Sequence, residues 1–581
     1  MAIAAASSQN VVPPLIMPSA LSGPVNPPPR FRRRSNLEWF CALTLLISAL
    51  TLFLTSLNLV ALRDWDEGIV AQVAREIWQN PQSWLHPTLH GQPYLNKPPL
   101  VHSLIALSYQ IFGSANEVSA RVPGAILSSI SVPLLYFLGR ELWPHRAPAV
   151  WAALAYLTWL PVGRHGRLAM LEGALLCFWL LWLLCLLRTR RNLSYALGLG
   201  IAATLVGLTK GVMVVVLFGA LSLGFLLWDT PRLLTTPWFW WGISLGLLPL
   251  GAWYLAQWNY YGQDFLVENL LNQSASRVWD SVDGNTGPPW YYLLELLKYG
   301  FPNLVFLPAG LKLAWQNQTL SWARLILVCG GGYLGAISLM GTKLPWYILP
   351  LYPMLSLAVG VVFAEIWDYL ERRGQPSHDP HPRYPKAWFW CFLVMALAAW
   401  TATLLVSYSL TEIMEREMLH LLPPSLLAAL TLSLCTILIA RRSANLPSVF
   451  IWGWFITLMF FFGSFDWVWE LNEDYPVKPV AAMIEQETQG QPVYTSHPYN
   501  RPSLNFYANR PVMSASLEEL QEYWHRETPT CVLVDDETLE QLDVRGEELA
   551  AIGIHWILAC HTGRGTIAAP TLPVPGETPP S

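Results

Sequence analysis

"LRDWDEGIVAQVAREIWQN", residues 62–80, follows directly on a long apolar run and sets three acids, Asp64, Asp66 and Glu67, within four positions. The run before it, 37–62, has the length and apolarity of a bilayer-crossing helix. It is too long for a signal-peptide core and lacks a convincing small-residue cleavage site, so it reads as an uncleaved anchor running from inside to outside. Beyond the acids, Ile69, Val70, Val73, Ile77 and Trp78 recur at three- and four-residue spacing. That periodicity predicts a short amphipathic helix on the outer membrane surface, with Asp66 near its N-cap. The carboxylate cluster therefore sits where the chain leaves the membrane, as a helix cap and dipole partner or as a chemical centre.

The same alternation of apolar runs and short polar loops continues for most of the chain. Its 581 residues are 53% hydrophobic and 13% charged, with 30 Trp and a mean hydropathy of +0.35. A polytopic α-helical membrane protein follows, with about thirteen transmembrane helices and a juxtamembrane helix in the first outer loop. The further spans fall near 121–140, 147–163, 171–187, 193–209, 211–228, 238–256, 290–311, 322–340, 345–367, 387–409, 420–440 and 447–465. Loops assigned to the cytoplasm carry Arg140, Arg146, "RTRRN", Arg232, Lys312, Arg324, "ERRGQPSHDPHPRYPK", Arg441 and Arg442, as the positive-inside rule requires. The net charge of -4 gives no sign of a nucleic-acid partner.

Three segments result. Residues 1–36 are rich in Pro, Ala and Ser and end near Arg30, Arg32, Arg33 and Arg34, the signature of a disordered cytoplasmic tail. Residues 37–465 form the membrane domain. Residues 466–581 change to a soluble pattern, with strands at "PVYTS", "TCVLVDD" and "IHWILAC" and helices at "SLEELQEYWHR" and "EELAAIG", predicting a small outer-face α/β domain. Six of the eight Cys lie in apolar runs and read as core residues. Cys531 and Cys560 lie in two strands of the tail, where free buried thiols are the expectation and a disulfide requires the strands to be neighbours.

Against the positive-inside trend, Lys97, Arg121, Arg164, Arg167, Lys210, Arg277 and Lys343 fall at outer ends of spans or in outer loops. Singly, each can snorkel to lipid phosphates. Together, facing a carboxylate cluster at one headgroup level, they suit a ligand carrying a phosphate at that depth, such as a lipid-linked phospho-sugar.

"DWDEGIVAQVAREI", "GQPYLNKPPLVHSLIALSYQIFG", "SARVPGAILSS", "LTKGVMVVVL" and "GTKLPWYILPLYP" resemble, in order and spacing, the motifs of GT-C membrane glycosyltransferases of the protein O-mannosyltransferase and aminoarabinose (lipid A) transferase group. The resemblance covers about residues 40 to 365. It implies a GT-C bundle in the cell (inner) membrane, active face outward. It further implies that Asp66 is the catalytic carboxylate and that Lys97, Arg277, Lys343 and Tyr347 hold a polyprenyl phosphate. Arg121 and Lys210 join the donor-phosphate set as outer-face cations. Glu67 and Glu172 join the catalytic set as orienting groups, acceptor contacts or metal ligands. Two positions depart from the family pattern: Glu172, in "AMLEG", stands where the family has Asp, and Asn96 stands where the aminoarabinose transferases have Glu.

The implied reaction moves a sugar from a polyprenyl-phosphate donor to a lipid, glycan or protein acceptor in one inverting displacement. The Cys show no metal-ligand spacing, and His86 and His90, at i, i+4 spacing but separated by Pro87, have no firm third ligand; no cofactor is called for, although the acids leave a divalent metal open. Asp64-Trp65-Asp66 has the DxD form of nucleotide-sugar enzymes, but it borders a membrane span and no Rossmann strand precedes it. The alternative class is a transporter or flippase of lipid-linked sugars, which places its site near the bilayer midplane in repeated halves. The mid-span positions here are almost free of charge, and no repeat is visible.

Overall fold

The computed structural model describes residues 35–280, 284–371, 381–409, 416–468, 475–488, 490–525, 528–542, 548–552 and 556–561. Residues 1–34 of the expected cytoplasmic tail, most of the "ERRGQPSHD" loop and the last twenty residues lie outside them. Among the described residues, nine helices are long and apolar enough to cross a membrane, and Ala147–Leu157, Tyr195–Lys210 and Leu446–Phe462 are shorter apolar helices in the same bundle. Many of these helices turn large apolar side chains outward: Leu245, Leu248 and Leu255 on one, Val394, Leu397 and Leu404 on another are all more than half exposed. An apolar outer surface of this extent belongs in lipid. The expected pass at 290–311 is broken into Tyr291–Tyr299 and Leu307–Gln316. Gly300 and Pro302 lie at the break, one a weak helix former and the other without an amide hydrogen.

The helix Glu117–Leu142 organises the first half of the bundle, packing against Ser35–Leu54, Ala147–Leu157 and Glu172–Thr189. Its start is fixed by a capping box: Asn116 accepts from Ser119 N at 3.0 Å, and Asn116 N donates to Ser119 Oγ at 3.0 Å. Asp66–Gln79 is the expected amphipathic helix, with Val70, Val73, Ala74 and Ile77 buried. Its N-cap position is Trp65, and no side chain caps it. Asp66 is the first helical residue, so its carboxylate is left for other work.

After the bundle, the described residues between 477 and 561 build an α/β unit around a five-stranded sheet. The strand order is Val512–Ser514, Val493–Thr495, Thr530–Asp535, Trp556–His561 and Glu548–Ile552, with the first two pairings parallel and the last two antiparallel. The helix expected at "EELAAIG" is instead the edge strand Glu548–Ile552, where pairing to Trp556–His561 overrides local helix propensity. Free thiols at Cys531 and Cys560 are likewise corrected. The antiparallel register sets the two opposite each other, Cα atoms 4.0 Å apart, and a disulfide joins them.

This unit docks onto the juxtamembrane helix through Pro502–Tyr507. Arg75 donates from Nη1 to Phe506 O at 2.6 Å and lies over the Phe506 ring at 3.7 Å. Tyr507 donates to Glu117 Oε1 at 2.8 Å and accepts from Leu62 N at 2.9 Å, while Lys478 pairs with Glu117. At Gly68 a Cβ would stand 2.7 Å from Ser503 N and 2.8 Å from Pro502 C, so the close approach of the two helices requires glycine there.

Candidate active site

A cavity of about 760 Å³ opens between the loop after the first helix, the ends of several bundle helices and the α/β unit. Asp66, Lys97, Glu172, Lys210, Arg277 and Tyr347 all line it. Residues separated by up to 281 positions thus meet on one surface.

Asp66 enters from the start of its helix. Its nearest cation is Arg63, with Nη2 3.7 Å from Oδ2. Burial in the cavity wall is the largest influence and pushes the carboxyl up to about 7, with Glu172 and Glu67 adding in the same direction against Arg63 and Lys210. A carboxylate so poised is a better proton acceptor than an exposed one and still ionises near neutral pH.

Glu172 and Lys210 stand at the adjoining ends of antiparallel helices, Glu172 in the first turn of Glu172–Thr189 and Lys210 in the last turn of Tyr195–Lys210. Each end favours that sign of charge, and the two side chains form an ion pair. The Lys210 ammonium also lies 5.5 Å from the Tyr347 ring centroid. Opposite them, Gln273 Oε1 accepts from Lys97 Nζ at 3.3 Å and from Arg277 Nη2 at 3.0 Å, and Arg277 Nη1 donates to Tyr347 Oη at 3.2 Å. One amide oxygen thus draws two cations together. Burial, with Arg277 and Lys210 close by, pulls the Lys97 ammonium down to about 7. A phosphate seated among these three cations relieves their repulsion.

Three residues of the expected set face elsewhere. Glu67 is fully buried behind the cavity, its carboxylate bound by Arg121 Nε at 2.8 Å, Arg121 Nη2 at 2.7 Å, Ala169 N at 2.6 Å and Arg63 N at 3.0 Å. Burial works against its charge, but the Arg121 guanidinium and these donors outweigh it and hold the carboxyl below the usual range. Arg121 spends its remaining donors on the carbonyls of Leu57, Val60 and Ala61 at 2.7–2.8 Å. Lys343 turns away from the cavity to donate to the carbonyls of Ile337, Ser338 and Met340 at 3.1, 2.6 and 2.6 Å, closing the C-terminal end of Gly332–Leu339. Glu67 and Arg121 tie the loop together, and Lys343 ties a helix end. Arg167, another cation expected on this face, is also buried, donating to the carbonyls of Leu52, Thr55 and Phe462.

The cavity also holds residues that the motifs did not single out: Arg63, Gln273, Trp65 and, from the α/β unit, Tyr499. Arg63 directly precedes the acid cluster, a signal that was available. Gln273 lies in the π-helical segment Leu266–Ala275, whose wider turns leave no hydrophobic period to read. Tyr499, 5.3 Å from the Trp65 ring, lies in "SHPYN" of the tail and is placed only by the docking of that unit. Among the described residues, no three His, Cys, Asp or Glu side chains come together as a metal-ligand group.

Residues 96–254 match the family model described as dolichyl-phosphate-mannose-protein mannosyltransferase. A crystal structure of ArnT from Cupriavidus metallidurans bound to undecaprenyl phosphate superposes with a TM-score of 0.70 over 90% of this chain and 97% of that one, at 17% identity. The chain has the GT-C fold. The motif resemblance to the aminoarabinose transferase group is borne out with it. Among curated relatives, the undecaprenyl phosphate-alpha-4-amino-4-deoxy-L-arabinose arabinosyl transferase 1 of Pseudomonas fluorescens is 29% identical over 55% of this chain and 59% of its own length. The corresponding transferase of Erwinia tasmaniensis is 28% identical over 52% of this chain and 56% of its own length. The match thus spans a little more than half of each relative, while the GT-C fold likeness runs almost end to end.

Proposed function

We propose that this GT-C chain is a glycosyltransferase that moves a sugar from a polyprenyl-phosphate donor to a lipid, glycan or protein acceptor. The observation that carries this reading is the cavity itself: a carboxylate poised near neutrality, Asp66, shares one surface with Lys97, Lys210 and Arg277, which suit the donor phosphate. In the reaction, the acceptor oxygen attacks the anomeric carbon and its proton passes to Asp66. The bond from the anomeric carbon to the phosphate oxygen breaks, and polyprenyl phosphate leaves with the electron pair. Cations beside the leaving phosphate stabilise the charge that develops there, and attack from the opposite side inverts the centre. Glu172, paired with Lys210, orients that cation.

The reading includes about thirteen membrane passes, with the cavity and the α/β unit of residues 466–581 on the outer side of the cell (inner) membrane. The inside loops follow the positive-inside rule, and the three short bundle helices and the broken 290–311 pass supply the passes beyond the nine long ones. Reporters fused after Ser464 should be active only outside, and reporters in "ERRGQPSHD" only in the cytoplasm. Transport of lipid-linked sugars is not favoured, because the charged cavity lies at helix ends and not at mid-span.

The deciding experiment incubates purified protein with undecaprenyl-phosphate-linked 4-amino-4-deoxy-L-arabinose or mannose, radiolabelled in the sugar, and an envelope extract as acceptor. Release of undecaprenyl phosphate with transfer of label supports the proposal. Movement of intact donor across a vesicle membrane without bond cleavage sinks it. A chelator arm shows whether a divalent metal participates.

A further inference from the structure

Asp64 stands two residues before the proposed base, yet its carboxylate is held by the α/β unit. Arg501 Nε donates to Asp64 Oδ2 at 2.7 Å, Ser503 N donates to Oδ1 at 3.0 Å, and Ser503 Oγ bonds the same oxygen. The side chains of Arg501 and Asp64 are 1% and 12% exposed, so water hardly screens this pair. Arg501 is itself fixed, donating from Nη1 to Tyr475 O at 3.2 Å and lying over the Tyr475 ring at 4.4 Å.

Between the gripped Asp64 and the cavity carboxylate of Asp66 lies Trp65, at φ 62° and ψ -66°. Asp66 N donates to Asp64 O at 2.7 Å, closing a three-residue γ-turn with positive φ. This conformation is rare and strained for a residue with a side chain, and it persists only where its surroundings over-determine it. Here they do. Asp64 is clamped by Arg501 and Ser503, Gly68 is pressed against Ser503, and the Trp65 ring meets Tyr499, all contacts supplied by the α/β unit. On the bundle side, Arg63 N and Ala169 N hold Glu67. The turn is thus pinned between two bodies, and the direction of the Asp66 carboxyl depends on both.

We infer that Arg501 is a positioning residue for Asp66: by gripping Asp64 from the α/β unit, it holds the Trp65 turn that aims the carboxylate into the cavity. The inference rests on the proposed role of Asp66, and it makes the α/β unit a working part of the active site.

The test uses full-length protein in detergent micelles, with undecaprenyl phosphate-4-amino-4-deoxy-L-arabinose and undecaprenyl phosphate-mannose as donors and envelope extract as acceptor. Arg501→Gln and Asp64→Asn should each lower kcat by about 100-fold, the scale of a small misplacement of a reacting group. The KM for donor should stay near wild type, because Lys97, Lys210 and Arg277 are untouched. The double variant should lose little more than either single one, and Arg501→Lys, which keeps the charge, should recover part of kcat.

The pH profile separates positioning from folding. The groups that set the ionisation of Asp66 are Arg63, Glu172, Lys210 and Glu67 together with the dry cavity wall. Releasing the turn admits water, so the acid limb of kcat/KM should move down by about one pH unit. A loss of folded protein scales the rate without moving that limb. Two kinetic results would overturn the inference: kcat within twofold of wild type in both variants, or losses that follow folded yield with an unmoved acid limb.

Hydrogen exchange of residues 62–70 supplies a readout independent of turnover. It should accelerate in Arg501→Gln while exchange in the sheet strands is unchanged; unchanged exchange in 62–70 also overturns the clamp. If the wild-type protein cleaves neither donor, the proposed function fails for these sugars, and the exchange experiment still decides whether the clamp exists.

Discussion

The cavity wall and the layer of protein just behind it hold the same kinds of residue in opposite surroundings. On the wall, Lys97, Lys210 and Arg277 crowd together around one ligand-sized space, linked by Gln273, Glu172 and Tyr347. Behind it, Arg121 and Lys343 are enclosed by backbone carbonyls, and Glu67 by four donors. The two carboxylates of this comparison are adjacent in sequence. Asp66 is poised near neutrality, whereas Glu67 is held ionised by Arg121. Location at one headgroup level therefore does not make a charged residue catalytic. A charge fully satisfied by its own protein has nothing left to offer a ligand.

The sharpest way to break this comparison is to neutralise each carboxylate in turn. Asp66→Asn keeps the shape and removes the proton acceptor, so turnover should fall by about 100- to 10,000-fold with folded yield and undecaprenyl phosphate binding retained. Near-normal transfer by this variant would return Asp66 to a structural role. Glu67→Gln leaves the Arg121 guanidinium buried without its counter-charge, a loss of about 3–5 kcal/mol. Its expected signature is a lower apparent melting temperature in detergent and poor yield, with turnover per folded molecule falling far less than in Asp66→Asn. If Glu67→Gln instead folds normally and is inactive, the division between wall and backing layer is wrong.

Smaller effects are expected among the cations. Lys97→Ala and Arg277→Ala each remove a charge-assisted contact of about 1.5–3 kcal/mol, which weakens undecaprenyl phosphate binding by about 10- to 150-fold. Lys343→Ala should loosen the end of Gly332–Leu339 and lower thermal stability, with much less effect on binding. Titration of the three variants with undecaprenyl phosphate ranks them directly, and equal losses in all three would place Lys343 on the ligand after all.

Why some of this was legible and some not follows from what a sequence encodes. Hydropathy gives depth: it marks which loops lie on one side and that Asp66, Lys97, Glu172, Lys210, Arg277 and Tyr347 share a level, and the motifs gave their company. It does not give direction around a helix end. The carbonyls that capture Arg121, at Leu57, Val60 and Ala61, lie in an irregular connection with no period, and those that capture Lys343 come from the end of a helix just upstream. The same limit applies in the α/β unit. Its strands at "TCVLVDD" and "IHWILAC" show in their composition, but the Cys531–Cys560 register is a fact of pairing, and "EELAAIG" became a strand for the same reason. Tyr499 and Arg501 reach the cavity region because Pro502–Tyr507 docks on Asp66–Gln79, an interface that no local pattern announces.

The subtlest expected effect lies in the pH dependence, because the wall holds an acid and a base poised at the same point. On the proposed mechanism Asp66 accepts a proton only when ionised, so kcat/KM should rise with pH through about 7. Lys97 must be protonated to attract the donor phosphate, so kcat/KM should fall again as pH passes about 7. The product of the two fractions is a narrow bell with its maximum near neutrality. Once the donor is bound, its phosphate favours the charged form of Lys97, which moves the alkaline limb of kcat upward. Lys97→Arg tests the assignment, since a guanidinium stays charged across this range. In that variant the alkaline limb of kcat/KM should vanish while the acid limb remains near 7. If the fall above pH 7 persists unchanged, its origin lies in another group, and Lys97 loses its place as the cation that titrates at the wall.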